Sequence, residues 1–497
     1  MLAVDDRRPG PIVPAKMNLT AHVLFQNNAS DANVALEVIG SDANDQWSYG
    51  RLRRAVMVTA AGLQARGLKQ GARVLMRLGN SPDFVVVYLG AIAAGFVPVP
   101  TSAALGVDEI TKIATSLDPD LIVAHAGIAQ PKGAYETVSP NELLAASPLS
   151  APVMAASDDL AYIVYTSGTA SAPMGVKHAH RAILARSMMF GGWYGLQTSD
   201  RVLHAGAFNW TFTLGTGLLD PWTKGATALV LTNGTEMGHL PELAGRHKAT
   251  ILAGAPGVFR RMLKSPLPEL PHLRHSLSAG EKLPETLREK WQDMTGTILH
   301  EAFGQSECST FISGAPDRPA PPGTVGFAQP GRRIAILGDD KPVERGQPGE
   351  IAIDAADPGL TLGYLNRPIE ARNGWCPTGD IGVMRKDGSI EYHGRADDIL
   401  TAGGFRVSPL EVEAAMQQLS GIEDAIAIDR AITPESTVIA LHYTGERKDE
   451  ATLKAHAETH LARHKQPRLF VHEQRLPKNA NGKLLRKALK AAIEGAL

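Results

Sequence analysis

The sequence predicts an α/β fold: a large N-terminal body of αβ layers with a small β-rich subdomain, followed by an α+β C-terminal unit. Its 497 residues exceed the size that one hydrophobic core usually serves. Helical and strand patterns alternate through the N-terminal half, and from about residue 323 they give way to short strands between Pro and Gly turns. We therefore place the β-rich subdomain at about 323–394.

The clearest alternation lies between residues 47 and 100. It carries an apolar-periodic helix, a glycine stop, the strand ARVLMRL, a second helix and a strand that ends in proline. This order predicts βαβ units and a parallel sheet. Residues 145–159, rich in Ala, Ser and Pro, are typical of a connector, and a new strand begins at Leu160.

A further boundary near residues 394–398 divides the chain into predicted domains 1–396 and 397–497. Beyond it we expect a helix, two strands around IEDAIAIDR and STVIALHYT, a helix over 450–464 and a basic tail. The first of these helices has clear start signals, because Ser408 at the N-cap, Pro409 and Glu411 predict a capping box.

Composition and charge exclude several classes of protein. The formal net charge is −1, so no global charge attracts nucleic acid or an anionic membrane. Cys308 and Cys376 cannot form a disulfide framework and lack zinc-type spacing. The N-terminus lacks the apolar segment of a signal peptide, and no window reaches about eighteen apolar residues. We expect a cytoplasmic protein without membrane insertion or nucleic-acid partners, and a homodimer stays open.

The stretch YTSGTASAPMGVKHAH, residues 165–180, follows an apolar strand with hydroxyl side chains and small residues. Thr166 to Ser171 offer hydroxyls and uncrowded backbone N–H groups that can curl around an anion such as a polyphosphate. The loop is not a Walker A motif, because Gly168 and Gly175 are wrongly spaced and no Gly-Lys-Ser/Thr follows. On these residues alone a plain turn is an equal alternative.

Four further motifs follow in order: EAFGQSE with Ser306 and Glu307, PTGD ending at Asp380, GRADDILTAGGFRVSP with Arg395, and PKNANGKLLRKAL with Lys483. Together with the loop they resemble the adenylate-forming, AMP-binding superfamily of acyl- and aryl-CoA synthetases, luciferases and peptide-synthetase adenylation domains. The resemblance spans essentially the whole chain, and it implies that the C-terminal unit is mobile.

The resemblance implies a two-step reaction with ATP, Mg²⁺ and CoA as co-substrates. A carboxylate attacks the α-phosphorus of ATP and expels pyrophosphate, and the acyl group then passes from AMP to a thiol. Both first reactants are anions, so such a site needs cationic groups and N–H donors. The implied ATP contacts are Thr166, Ser167, Gly168, Thr169, Ala170, Ser171, Ala279, Gly280, Glu281, Ser306, Asp380 and Arg395.

Within that set the resemblance assigns individual roles. Residues 166–171 would hold the β- and γ-phosphates, and 279–281 would face the adenine. Glu307, with Thr166, would hold Mg²⁺, which prefers carboxylate and phosphate oxygens. Ser306 would reach the AMP phosphate. Asp380 would accept from the ribose hydroxyls, and Arg395 would supply a fixed positive charge on the ribose or phosphate side.

The C-terminal motifs are implied to change position between the two steps. Lys483 would enter the site during adenylation and contact the carboxylate and the α-phosphate, whereas its alternative is a solvated lysine in a basic tail. Asp397 is implied to be the hinge. Gly403 and Gly404, without Cβ atoms, would let the pantetheine arm approach the backbone.

The sequence departs from the family pattern in two places. Met174 replaces the lysine usual in the phosphate loop, and Lys177 is a candidate to compensate for it. Asn209 stands where many relatives have histidine, between Phe208 and Trp210. These aromatic residues would wall the acyl pocket or the thiol channel, with ordinary core packing as the equal alternative.

Gly304 takes the place of a tryptophan that shortens the pocket in acetyl-CoA synthetases, so we expect a deeper pocket here. No basic residue stands where a second carboxylate would need one. The sequence most resembles benzoate-type and short- or medium-chain acyl-CoA ligases, which favours an aromatic or medium-chain monocarboxylic acid as the substrate. Two alternatives stay open: loading of a carrier-protein pantetheine, and an ATP-binding pseudoenzyme. A dinucleotide oxidoreductase is disfavoured because no GxGxxG opens a helix.

Overall fold

The computed structural model confirms the α/β class and describes residues 1–40, 44–145, 147–166, 173–232, 235–402, 405–433, 436–478 and 484–494. In this part of the chain the largest sheet has nine strands, and its six central strands run parallel. Those central strands are mostly apolar, as strands buried on both faces need to be. In spatial order the strands are Phe327–Ala328, Ser309–Ser313, Leu299–Gln305, His275–Ala279, Ile251–Gly254, Arg201–His204, Thr227–Leu231, Val34–Ile39 and Asn44–Ser48.

A second, smaller parallel sheet confirms the predicted βαβ units. The helices Tyr49–Gln64 and Pro82–Ala93 pack in one core with strands of both sheets. The Ser48 and Ser81 hydroxyls each accept a backbone N–H of the first turn and so cap the two helices. The strands of the smaller sheet are Val97–Pro100, Arg73–Arg77, Leu121–Ala124 and Thr137–Val138.

Further helices cover the sheets and connect their strands. Within the described ranges, no helix has the length and apolar character needed to cross a membrane. An antiparallel hairpin of Leu160–Thr166 and Met174–Ala179 and a short strand pair of Lys16–Met17 and Ala155–Ala156 complete this region. The helices are Val107–Leu117, Ala182–Arg186, Thr211–Leu214, Asp220–Lys224, Leu240–Arg246, Pro256–Met262 and Glu285–Thr295, with shorter turns at Ala21–Phe25, Pro140–Leu143, Phe190–Tyr194, Gly215–Leu219 and Met237–His239.

The β-rich region expected from about residue 323 is an antiparallel sheet. One of its edge strands, Val4–Asp6, comes from the N-terminus and pairs with Arg333–Gly338. That pairing joins distant parts of the chain, and the local sequence pattern carries no signal for it. The other strands are Lys341–Pro342, Pro348–Asp354, Trp375–Met384 and Ile390–Arg395.

Residues from 400 onward form hydrophobic clusters of their own, built from residues 400–493 alone. The two expected strands are present, and the helix expected over 450–464 ends at His460, before a short turn at Arg463–Lys465. The strands are Leu400–Ala402, Phe405–Val407, Ile422–Thr433, Ser436–Gly445 and Leu469–His472; the helices are Pro409–Met416, Glu450–His460 and Arg486–Glu494, with a turn at Ala396–Asp398.

Asp424 connects this C-terminal unit to the body. Its Oδ1 accepts from Arg260 Nη1 at 2.6 Å, and Arg260 lies on the helix Pro256–Met262. Its Oδ2 accepts from Lys478 Nζ, also at 2.6 Å. One carboxylate therefore holds two cations from different parts of the chain.

The capping box expected at Ser408 is wrong in its hydrogen bonds, although Ser408 is the N-cap and Pro409 begins the helix. The Ser408 hydroxyl donates to the carbonyl of His393. The Glu411 carboxylate accepts from Lys465 Nζ at 2.6 Å. Tertiary partners thus take both side chains that the local motif would have paired.

Candidate active site

The motif EAFGQSE lies on a hairpin at the edge of the parallel part of the large sheet. The strand Leu299–Gln305 turns through Ser306 and Glu307 into Ser309–Ser313. Gly304 is needed here, because a Cβ would lie 2.2 Å from the Ser309 carbonyl oxygen. The missing side chain therefore leaves no open space, and the expectation that Gly304 deepens the acyl pocket is wrong.

One end of this hairpin meets Asp380 in a group that we name the Asp380 cluster: Gln305, Asp380, Tyr392 and Arg395. The Asp380 carboxylate is 3% exposed. Its Oδ2 accepts from Gln305 Nε2 at 2.5 Å and from Arg395 Nη1 at 3.3 Å, and its Oδ1 accepts from the Tyr392 hydroxyl at 3.0 Å. Asp380 and Arg395 stand opposite each other on neighbouring strands. The sheet register therefore fixes this pair.

Burial and charge both act on the titration of this cluster. Burial, followed by the Asp380 carboxylate, raises the pKa of Tyr392 well above its ordinary value. Burial opposes the charge of Arg395, yet the Asp380 carboxylate raises the net pKa of the guanidinium. The raised pKa values keep the Tyr392 hydroxyl protonated and Arg395 charged at neutral pH, so both act as donors to Asp380.

Two residues further along the chain lies a second group, the Glu307 cluster: Met174, Glu307, Tyr364 and Arg367. Glu307 Oε1 accepts from the Tyr364 hydroxyl at 2.8 Å. Burial, and then the Glu307 carboxylate, raise the pKa of Tyr364 to about 12. The guanidinium of Arg367 lies 4.5 Å from the centre of the Tyr364 ring, and its Nη2 is 3.5 Å from Met174 Sδ.

The hairpin that precedes and follows the phosphate loop positions Met174. Thr166 is directly opposite Met174, and Ile163 is directly opposite Lys177. Opposite residues share a face and successive residues alternate, so Lys177 points to the other face from Thr166 and Met174. Lys177 is therefore not a substitute for the missing loop lysine in this arrangement.

Several predicted residues lie outside the part of the chain that the structure describes. These are Ser167, Gly168, Thr169, Ala170 and Ser171 of the phosphate loop, Gly403 and Gly404, and Lys483. Thr166 ends the described strand before that loop.

The residues around Asn209 differ in how deeply they are buried. Phe208 is 3% exposed and its ring centre lies 5.3 Å from that of Phe84, which favours core packing, the alternative to a place in the wall of the pocket or channel. Trp210 is half-buried and covers Gly280, whose Cβ would lie 2.6 Å from the indole. Asn209 between them is half-buried.

The predicted adenine-binding segment ends the strand His275–Ala279. The Ala279 side chain is buried in the core. Gly280 is exposed and has φ +94°, a conformation that favours glycine, and Glu281 is half-buried. The exposed backbone at Gly280 and the indole of Trp210 thus share one surface, and the adenine role remains a prediction.

Ser306 borders a small chamber beneath the hairpin. Tyr162, His178, Thr211 and Arg186 line it as well. Burial lowers the pKa of His178 to about 4, so its imidazole is neutral at pH 7. Arg186 is committed to Asp220, which accepts from Nε at 2.7 Å and from Nη2 at 2.6 Å.

The Glu307 cluster fits a magnesium ion that takes most of its ligands from phosphates. Such an ion needs only one or two carboxylates from the protein. Glu307 is a half-buried carboxylate, and within the described ranges its side chain accepts a hydrogen bond from Tyr364. Among the described residues, no three His, Cys, Asp or Glu side chains come together as a metal cage.

The predicted hinge is tied to the last helix. Asp397 accepts from Lys487 Nζ, and although burial opposes it, this contact lowers the pKa of Asp397. Arg486 reaches Asp398 at 3.2 Å and also contacts the buried Glu413. Residues 397 and 398 therefore depend on side chains almost 90 positions later.

Sequence reasoning missed Gln305, Tyr392, Tyr364 and Arg367. Gln305 lies inside a quoted motif, and Tyr392 faces Asp380 on the neighbouring strand. Tyr364 and Arg367 lie in a loop before PTGD, and loops at the edge of a scaffold often carry functional side chains. The place of these two residues in a loop directly before a motif was the sequence feature that could have indicated them.

Comparison with known proteins places this geometry in a family. The AMP-binding enzyme family matches residues 25–365. The 3-hydroxybenzoate–CoA ligase of Aromatoleum sp. (strain CIB) is 30% identical over 486 residues, covering 89% of this chain and 92% of the relative. The benzoate–CoA ligase of Thauera aromatica is 27% identical over 493 residues, covering 90% and 92%.

A similar solved structure is ATP-bound MatB from Rhodopseudomonas palustris. It superposes with a TM-score of 0.88 at 25% identity, covering 97% of this chain and all of that one. The chain therefore belongs to the AMP-binding enzyme family, and the resemblance inferred from its motifs is confirmed.

Proposed function

We propose that this enzyme adenylates an aromatic monocarboxylic acid and transfers the acyl group to CoA. The reaction class follows from the family and from relatives named as aryl-CoA ligases: the chain is an ATP-dependent, AMP-forming acid–thiol ligase. One structural observation carries the assignment of the site. Gln305 touches Asp380 while Glu307 touches Tyr364, so a single strand end joins two carboxylate clusters.

In this proposal the two clusters have separate tasks. Asp380 accepts from the ribose hydroxyls, with Arg395 beside it. Glu307 and the Thr166 hydroxyl hold Mg²⁺, which supplies positive charge to the phosphates when bound. Ser306 reaches the AMP phosphate, and the surface of Gly280 and Trp210 takes the adenine or the edge of the acyl pocket. Because the donors are fixed before the reaction, little reorganisation opposes the first step.

The choice of a monocarboxylic acid rests on the sequence, in which no basic residue stands where a second carboxylate would need one. A second carboxylate without a counter-ion is costly in a buried site. The benzoate and hydroxybenzoate specificities named for the relatives favour an aromatic acid over a medium-chain one.

We further propose that residues 1–396 and 397–497 are separate domains that move about Asp397, and that Lys483 contacts the carboxylate and the α-phosphate during adenylation. The separate hydrophobic clusters of residues 400–493 support this division. Lys483→Ala should slow adenylation about 10²- to 10³-fold, yet largely keep thioester formation from synthetic acyl-AMP. Lys454→Ala is the matched control, because among the described residues Lys454 pairs with Glu450, one turn earlier on the same helix, and is itself exposed. Equal loss in both half-reactions would contradict the proposal.

An acid panel tests the substrate. Purified enzyme with ATP and Mg²⁺ is given benzoate, hydroxybenzoates, octanoate, acetate or malonate, with and without CoA, and the products are followed by mass spectrometry. We expect aryl-CoA from the aromatic acids. Malonate or acetate as the best substrate would contradict the proposal. Acyl-AMP that persists despite CoA would favour a carrier-protein acceptor. ATP binding without pyrophosphate exchange for any acid would favour a pseudoenzyme.

A further inference from the structure

The loop lysine that the family usually has is Met174 here, and the opposite strand face excludes Lys177 as its replacement. A cation nonetheless lies beside this position. Arg367 Nη2 is 3.5 Å from Met174 Sδ, and Met174 is the strand partner of Thr166, where the phosphate loop begins. A guanidinium supplied by a different segment thus reaches the same point of the fold.

Its surroundings keep this guanidinium in place without neutralising it. The ring of Tyr364 lies under it at 4.5 Å, and the Tyr364 hydroxyl is directed to Glu307. A thioether is a weak acceptor, and no carboxylate in the described ranges forms an ion pair with Arg367. The side chain is exposed. Arg367 therefore keeps donors that an incoming anion can use.

We propose that Arg367 binds the β- and γ-phosphates of ATP and the pyrophosphate product, in place of the lysine missing at position 174. This inference rests on the proposed function of the same site. A planar guanidinium can donate two parallel hydrogen bonds to phosphate oxygens, which suits a polyphosphate better than a single ammonium. Tyr364 would act as its support, because one side chain contacts both Arg367 and the carboxylate assigned to Mg²⁺.

The test measures binding of magnesium pyrophosphate and of AMP by isothermal titration calorimetry, without any acid. Arg367→Gln should weaken pyrophosphate binding about 10- to 100-fold, the range for a hydrogen bond to a charged group, and leave AMP binding within about twofold. Arg367→Lys should keep part of the affinity. Arg372→Gln is the matched control, because Arg372 lies in the same segment but pairs with Asp340 and Glu370.

The decisive variant moves the charge back to the family position. Met174→Lys combined with Arg367→Gln should restore most of the pyrophosphate affinity. Wild-type affinity in Arg367→Gln, or an equal loss of pyrophosphate and AMP binding, would overturn the proposal. If Arg367→Gln does not fold, Arg367→Met takes its place, and wild-type pyrophosphate affinity in folded Arg367→Met would overturn the proposal as well. Because no acid is present, failure of the acid panel would leave these results intact.

Discussion

The Asp380 cluster and the Glu307 cluster each take one residue from the same hairpin, Gln305 and Glu307, which are two positions apart. The two clusters are nonetheless built differently. Asp380 is almost fully buried, and three side chains of the described part of the chain hold its carboxylate, together with the strand register. Glu307 is half-buried and is contacted by one tyrosine among the described residues, and the cation nearby comes from a loop. The first cluster is part of the folded core, whereas the second is attached to its surface.

Because of this difference, replacing one carboxylate should affect stability and replacing the other should mainly affect catalysis. A buried, paired carboxylate contributes to folding as well as to binding, because its removal leaves its buried partners unpaired. A half-exposed carboxylate with one contact can change without that cost, so its replacement mainly affects the reaction. On the proposed assignment, the phosphate side of the site can exchange its cation between segments, as we propose for Met174 and Arg367, whereas the ribose side is constrained by the sheet.

The largest effect on rate should come from Glu307→Gln. Loss of the negative charge removes the proposed Mg²⁺ ligand, so adenylation should fall about 10²- to 10³-fold. The amide oxygen can still accept from Tyr364, so the free energy of unfolding should stay within about 0.5 kcal/mol of the wild-type value. Pyrophosphate release and urea denaturation measure the two quantities. A large loss of stability would mean that the two clusters do not differ.

Asp380→Asn should weaken ATP binding about 10- to 100-fold and lower the free energy of unfolding by about 2 kcal/mol, because Arg395 loses its buried counter-charge. The same titration and urea measurements apply. Asp387→Asn is a control on a neighbouring exposed turn, where the hydrogen bonds of the carboxylate within the described ranges go to Ser389 of the same turn. An unchanged free energy of unfolding in Asp380→Asn would contradict the expected difference between the Asp380 cluster and the Glu307 cluster.

Tyr364→Phe should slow adenylation about tenfold, because Glu307 loses the hydroxyl that positions it while the ring under Arg367 is kept. The pKa of Tyr364 is raised, to about 12, so the hydroxyl keeps its proton well above neutral pH and loses it only as pH rises toward that value. The loss should therefore be constant between about pH 6 and 9. A loss that disappears at the alkaline end of this range would contradict the proton assignment.

The smallest effect should come from Met174→Lys in the otherwise unchanged enzyme. Arg367 already supplies a cation at this point, and a second one is repelled by it, so pyrophosphate affinity should change by less than about threefold. Calorimetric titration in parallel with the wild type measures this. A tenfold gain would show that the phosphate side lacks a working cation.

Patterns local in sequence predicted most of the fold. The helices Tyr49–Gln64 and Pro82–Ala93 and the strands around them follow from periodicity, capping and glycine stops. The capping box at Ser408 failed because His393 and Lys465, distant in sequence, take its side chains. The strand Val4–Asp6 was not predicted for the same reason, since its partner strand lies more than 300 residues away.

The motifs pointed to individual residues of the candidate site, and their roles stay predictions. Glu307, Asp380 and Arg395 stand in recognisable strings, and the strand register brings Asp380 and Arg395 into direct contact, with Gln305 also bonded to Asp380. Arg367 and Tyr364 could not be found in this way, because their relation to Met174 and Glu307 exists only after folding. Gly304 shows the opposite failure: its expected role assumed empty space that the backbone of Ser309 fills.

The double pairing of Asp424 has a consequence for the speed of the catalytic cycle. Arg260 belongs to the body, and Lys478 precedes Lys483 by five residues. If residues 397–497 swing between the two half-reactions, Asp424 must leave Arg260 on every turnover, and opposite charges must separate each time. Dissolved salt screens such contacts at the surface. The dwell time in the docked arrangement should then shorten as ionic strength rises, so turnover would depend on the salt content of its surroundings even when every substrate is saturating.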